Sequence, residues 1–199
     1  MQNEFQTLID GFITDQVGIS TEFFPTLLAK GLRDNILQLK TDDLLKDAGT
    51  GNAQISTKDK LVRSDQIHWL DRSHENISEQ QFFILMDKFI LYLNSTCYTG
   101  ITGYEFHYTL YEKGSFYRTH LDQFSNNQSR KFSMIIYLNE NWIPEDGGEL
   151  CIHHPEKDQQ LISPDNRKGV FFKSNELPHE VLISHKSRMS ITGWLKVTA

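Results

Sequence analysis

The sequence predicts a mainly β fold, a sandwich or jelly roll buttressed on one side by helices. Three observations carry this. Apolar residues recur at helical spacing in the first half, period-two alternation begins after Gly100, and turn residues separate several short apolar runs beyond it. A length of 199 residues fits one domain, 1–199, with an N-terminal helical portion over 1–99 and a barrel core over 100–197.

Phe23, Phe24, Leu27, Leu28, Leu32, Ile36 and Leu39 form the stripe of a first amphipathic helix. Residues 42–60 are poor in apolar side chains and rich in Thr, Gly, Asn, Ser and Asp, which predicts a long surface loop of the kind that serves as a lid. Ser78 with Gln81 three residues on has the form of a capping box, and it opens a helix whose buried stripe is Phe82, Phe83, Met86, Phe89, Ile90 and Leu93. Tyr104, Phe106, Tyr108 and Leu110 then alternate with Glu105, His107 and Thr109, the pattern of a strand. Further strands are expected at 132–138, 149–153, 169–172 and 188–195, divided by Asp146-Gly147-Gly148, Pro164-Asp165-Asn166 and Leu177-Pro178.

Charged residues make up 23% of the chain and apolar residues 38%, which argues against wholesale disorder. The formal net charge of −6 disfavours a protein built to grip phosphate backbones, so no nucleic-acid partner is expected. No apolar run reaches the roughly 18 residues of a membrane span, and Met1-Gln2-Asn3-Glu4 has neither the basic nor the apolar region of a secretion signal. The expectation is a cytoplasmic protein without a membrane partner, its oligomeric state left open. Cys97 and Cys151 lie outside any C-x-x-C and are expected as buried reduced thiols.

The candidate chemistry starts at His120 and Asp122. In a strand, residues two apart share a face, so both can reach one point. His179, after Pro178 and before an apolar strand pattern, is a third candidate. Two imidazoles and one carboxylate on one side of a metal form the facial triad of non-haem Fe(II) oxygenases, which leaves positions open for a bidentate cosubstrate and O2. Arg188 begins a strand in which Ser190, Thr192 and Trp194 share its face. An arginine inside a barrel needs a carboxylate partner, and the tail of 2-oxoglutarate would supply one. Taken singly, the H-x-D triplet and Arg188 read as readily as ordinary structural residues. His153 and His154 are strand neighbours on opposite faces and cannot together hold one ion, while His68, His74, His107 and His185 are expected to be structural.

In order, Tyr117-Arg118-Thr119-His120-Leu121-Asp122, Ile135-Ile136-Tyr137-Leu138-Asn139, Gly147-Gly148-Glu149-Leu150, Phe171-Phe172, Pro178-His179-Glu180-Val181, Arg188 and Trp194 resemble the 2-oxoglutarate- and Fe(II)-dependent prolyl 4-hydroxylases. The resemblance is to the compact branch that holds the animal hypoxia-factor prolyl hydroxylases and their small bacterial relatives, and Arg63-Ser64-Asp65-Gln66-Ile67-His68-Trp69 extends it upstream. It implies a cupin-like double-stranded β-helix with catalytic iron on His120, Asp122 and His179. It implies that Arg188 binds the distal carboxylate of 2-oxoglutarate, helped by the Tyr137 hydroxyl, with Thr192 lining the same pocket and Tyr111 near the metal. The implied reaction is hydroxylation of a prolyl residue, at C4, in a protein or peptide. It is driven by O2 and oxidative decarboxylation of 2-oxoglutarate to succinate and CO2, with ascorbate as reductant. The same likeness suggests an Asp65–Arg130 salt bridge at the base of the lid and places that lid at about 42–60. Two alternatives remain open on the residues alone: the same chemistry on a free amino acid or other small molecule, or a non-catalytic β-barrel module binding peptide or metal.

Overall fold

A computed structural model describes residues 2–49, 62–123 and 127–198. The chain runs α1 (Gln2–Asp15), β1 (Val17–Ser20), α2 (Thr26–Thr41), β2 (Lys46–Asp47), β3 (Gln66–Trp69), α3 (Ile77–Cys97) and β4 (Gly103–Tyr111). It continues through β5 (Tyr117–His120), β6 (Arg130–Tyr137), a 3-10 turn (Pro144–Asp146), β7 (Leu150–Ile152), β8 (Gln160–Ile162), β9 (Gly169–Lys173), β10 (His179–Val181) and β11 (Arg188–Lys196). Seven strands form one sheet in the order β1-β9-β6-β11-β4-β3-β2, and four form a second in the order β5-β10-β7-β8, with every strand pairing antiparallel. This is the jelly-roll architecture expected of the sequence.

Strand alternation builds two cores at once. In β6, Met134 and Ile136 face the helices, while Ile135 and Tyr137 face the second sheet. The helix-side core collects Phe5 and Leu8 of α1, Leu32 and Ile36 of α2 and Phe82 and Phe89 of α3 against Phe106, Tyr108 and Leu110 of β4. Edge-to-face ring contacts such as Phe82–Phe106, with centroids 5.0 Å apart, fix the helices on the sheet. The inter-sheet core is smaller, with Val17, Ile135, Val170 and Phe172 against Leu150, Ile152 and Ile162. It occupies one end of the sandwich only, and the other end is hollow.

Some boundaries differ from expectation. Phe23 and Phe24 precede α2 and plug the core from the loop before it, since Pro25 at the cap position sets where the helix starts. The cap of α3 is Asn76, whose side chain accepts from the backbone N–H groups of Ser78 and Glu79, so Ser78 is the second residue of the helix. Of the loop expected at 42–60, Lys46–Asp47 pairs with β3, and 50–60 lie outside the described residues. Cys97 is exposed rather than buried, whereas Cys151 is buried as expected. Among the described residues no helix is long and apolar enough to cross a membrane.

Candidate metal centre and cosubstrate pocket

His120 ends β5 and His179 opens β10, and the two are direct partners in the register of these paired strands. Their rings stand 4.4 Å apart. Asp122, two residues past His120, turns back between them. Its Oδ1 lies 3.5 Å from His120 Nε2 and its Oδ2 3.5 Å from His179 Nε2. The candidate ligand atoms of all three residues fall within 4.8 Å of one another.

Each histidine is held in the same way. His120 Nδ1 lies 2.8 Å from the Arg118 carbonyl oxygen, and His179 Nδ1 lies 3.0 Å from that of Leu177. A carbonyl only accepts, so each Nδ1 carries the proton and each Nε2 turns a lone pair toward the common point. Ser133 on β6 donates to Asp122 Oδ2 at 2.6 Å and is itself 2.9 Å from Ser174 Oγ. Burial alone would raise the Asp122 carboxyl. The His179 and His120 imidazoles and the Ser133 hydroxyl outweigh it and hold the carboxyl well below the usual carboxylate range. His179 is lowered, chiefly by burial, so it stays neutral. A carboxylate and two imidazoles aimed at one point from one side fit a divalent metal with positions left open.

The three residues line a cavity of about 150 Å³ that fills the hollow end of the sandwich. At its far end stands Arg188, 1% exposed. Its Nε donates to the Gly148 carbonyl at 2.8 Å, and its guanidinium lies 4.9 Å from the Tyr111 ring and 5.0 Å from the Tyr137 ring. Among the described residues no carboxylate pairs with it. Beside it the Tyr137 hydroxyl is fully buried and makes no hydrogen bond. Burial pushes that phenol up to about 12, with the guanidinium opposing the rise. An unmatched buried cation and an unmatched buried hydroxyl at the same place call for an anion that bonds both. Gly148 is required here: its φ is +69°, and a Cβ would come within 3.1 Å of Arg188 Cδ and 2.9 Å of Ser184 Oγ.

The other residues singled out in the sequence fall as follows. Thr192 and Tyr111 line the same cavity, Tyr111 opposite Arg188 in the register of β4 and β11. The Asp65–Arg130 bridge is replaced by closer partners: Arg63 forks onto Asp65 at 2.7 and 2.6 Å, and Arg130 forks onto Glu105 at 2.9 and 2.8 Å. Arg63 also lies 4.2 Å over the Tyr117 ring, which stacks on His120 at 3.6 Å. His107, expected to be structural, lines the cavity together with Trp69, Thr109 and Trp194. Its inward direction follows from the alternation that sends Phe106 and Tyr108 to the helices. Exposed Trp69 and Leu121 stand among the lining residues at the mouth.

The model of the 2OG-Fe(II) oxygenase superfamily matches residues 106–196, the span that holds His120, Asp122, His179, Tyr111, Tyr137, Arg188 and Thr192. The solved prolyl-4-hydroxylase of Pseudomonas putida is 30% identical, covering 98% of this chain and 100% of that one with a TM-score of 0.87. The chain belongs to the 2-oxoglutarate- and Fe(II)-dependent prolyl 4-hydroxylase family. Prolyl hydroxylase EGLN3 of Homo sapiens is 26% identical over 180 residues, covering 81% of this chain and 70% of the relative. A Trichoplax adhaerens prolyl hydroxylase, solved with a peptide of its hypoxia-inducible factor, shares the fold at a TM-score of 0.87 and 23% identity, over 98% of this chain and 90% of that one. The enzyme is therefore a 2-oxoglutarate-dependent dioxygenase with the double-stranded β-helix fold of its family, working with Fe(II), 2-oxoglutarate and O2.

Proposed function

We propose that the enzyme hydroxylates a prolyl residue, at C4, in a protein or peptide, using His120, Asp122 and His179 as catalytic iron ligands. The observation that carries this reading is a three-sided ligand set and an unpaired guanidinium at opposite ends of one cavity. When bound there, Fe(II) with 2-oxoglutarate and O2 supplies the oxidative decarboxylation to succinate and CO2 that hydroxylates an unactivated C–H bond. The protein's share is positioning. His120 and His179 present fixed lone pairs, and Ser133 keeps the Asp122 carboxylate turned inward. Arg188 and the Tyr137 hydroxyl receive the distal carboxylate of the cosubstrate, with Thr192 and Tyr111 shaping the space between. Holding the cosubstrate at two ends fixes its orientation and excludes water from the reacting face.

A polypeptide substrate is supported by the exposed Trp69 and Leu121 at the mouth, where an extended chain can lie across while one side chain enters. Prolyl hydroxylase relatives from human and Pseudomonas putida support proline as that side chain. Ascorbate is the expected reductant for uncoupled turnover, and a reducing cytoplasm fits two cysteines with no disulfide between them. Incubation of the enzyme with Fe(II), 2-oxoglutarate, ascorbate and host lysate, followed by peptide mass spectrometry, tests the reading. Prolines gaining one oxygen atom only when 2-oxoglutarate is present support it; succinate formed with no proline modified refutes the substrate assignment.

A further inference from the structure

The pairing that builds the triad also builds a second cluster, on the other face of the same sheet. β10 runs beside β7 with His179 opposite Ile152 and Glu180 opposite Cys151. Leu150 and Ile152 point into the inter-sheet core, so Cys151 and His153 point away from it, and Glu180 joins them as the outward neighbour of inward His179. We propose that Cys151, His153 and Glu180 form a second metal site, for a divalent ion of the zinc class, separate from the iron triad.

The geometry is close to what ligation needs. The three candidate ligand atoms lie within 4.8 Å of one another, and His153 Nε2 is 2.9 Å from Glu180 Oε1. Donors around one tetrahedral zinc stand roughly 3–4 Å apart, as bond lengths of about 2.0–2.3 Å require. His153 is anchored through its backbone N–H to the Pro178 carbonyl at 2.9 Å, so its side chain is carried by the same strand pair as the other two.

Gln159 completes the arrangement. Its Oε1 accepts from Cys151 Sγ at 3.7 Å, and its Nε2 faces His153 Nδ1 at 3.1 Å. Metal binding releases the thiol proton to solvent and moves the imidazole proton from Nε2 to Nδ1. One flip of the Gln159 amide then satisfies both changes: Nε2 donates to the thiolate, and Oε1 accepts from Nδ1–H. Thiolate and carboxylate together cancel the charge of a divalent ion, so the occupied site is neutral, whereas the empty one carries the single negative charge of Glu180. A thiolate selects zinc-like ions over magnesium or calcium, whereas the triad contains no sulfur.

That difference supplies the test. Co(II) added to the full chain should give a near-ultraviolet thiolate-to-cobalt charge-transfer band, which the sulfur-free triad cannot produce. The band should persist in Cys97→Ser, vanish in Cys151→Ser, and require at least about tenfold more Co(II) for half-saturation in Glu180→Gln. Zn(II) should bleach it and Mg(II) should not. Absence of the band, its survival in Cys151→Ser, unchanged half-saturation in Glu180→Gln, or failure of Zn(II) to displace Co(II) would overturn the assignment.

Discussion

Replacing Arg188 with methionine should separate cosubstrate binding from folding, with effects of opposite sign. Without cosubstrate, Arg188 is a buried cation whose neighbours are two aromatic rings and one carbonyl. Exchanging a buried ion for an apolar side chain of similar volume is often neutral or stabilising, by about 1–4 kcal/mol. Loss of the Nε bond to Gly148 returns about 1 kcal/mol of that. The variant should therefore melt at the wild-type temperature or a few degrees above it. Its cosubstrate affinity should fall sharply, because truncating one partner of a buried hydrogen-bonded charge pair costs roughly 2–5 kcal/mol, about 30-fold to several-thousand-fold. Thermal melts with and without 2-oxoglutarate, with Mn(II) in place of iron to prevent turnover, read both effects. At about 100 times the dissociation constant, cosubstrate adds about 2.7 kcal/mol to the wild type. At about 2–4 °C per kcal/mol for a chain of this size, that is a rise of about 5–10 °C. The same rise in Arg188→Met, or a large loss of stability without cosubstrate, would refute the placement of the guanidinium at the anion end of the cavity.

Three further outcomes follow from the site. Ser133→Ala removes the donor to Asp122 Oδ2 and should weaken metal affinity about 10- to 100-fold while leaving the fold intact; a Mn(II) titration with unchanged affinity would contradict that role. Gly148→Ala places a methyl group against Arg188 at positive φ, so it should cost about 1–2 kcal/mol of stability and raise the 2-oxoglutarate KM, read by urea midpoint and by succinate assay. Burial, aided by the Arg63 and Arg130 guanidiniums, holds His107 down to about 4 from 6.5, against the Tyr108 carbonyl and the Asp65 charge. The unfolded chain thus takes up a proton that the folded chain refuses. The contribution is intact above about pH 6.5 and is lost as pH falls toward about 4, at about 1.4 kcal/mol per pH unit and about 3 kcal/mol in all. Urea midpoints for His107→Met should decline less over that window than those of the wild type, and equal declines would show that His107 is not held neutral.

The long strands could be read because alternation repeats enough times to be seen: β4, β6 and β11 each carry apolar residues on the helix side. Short strands such as β1, β5 and β8 offer too few residues for a period, and only partner strands define them. The candidate metal ligands could be picked out by the one-residue gap between His120 and Asp122 and the strand context of His179, although β5 ends at His120 and Asp122 reaches the others from the turn beyond it, not from a shared strand face. What supports them was not. Ser133 reaches Asp122, and Cys151 meets Glu180, through cross-strand pairing that no local spacing encodes. His107 illustrates the same gap. In a half-exposed sheet its side of β4 would face water, but here that side faces the cavity because the second sheet covers it. The cap of α3 moved from Ser78 to Asn76 because two residues near the boundary can each cap, and Asn76 also donates to Asn35 across the helix pair.

The most direct test of the iron assignment is succinate formation by wild type and Asp122→Ala, assayed side by side with Fe(II), 2-oxoglutarate and O2. The geometry predicts iron-dependent succinate from the wild type and none above background from the variant, which should keep its far-ultraviolet circular dichroism. Wild-type succinate formation by Asp122→Ala would show that the carboxylate between the two imidazoles does not hold the metal.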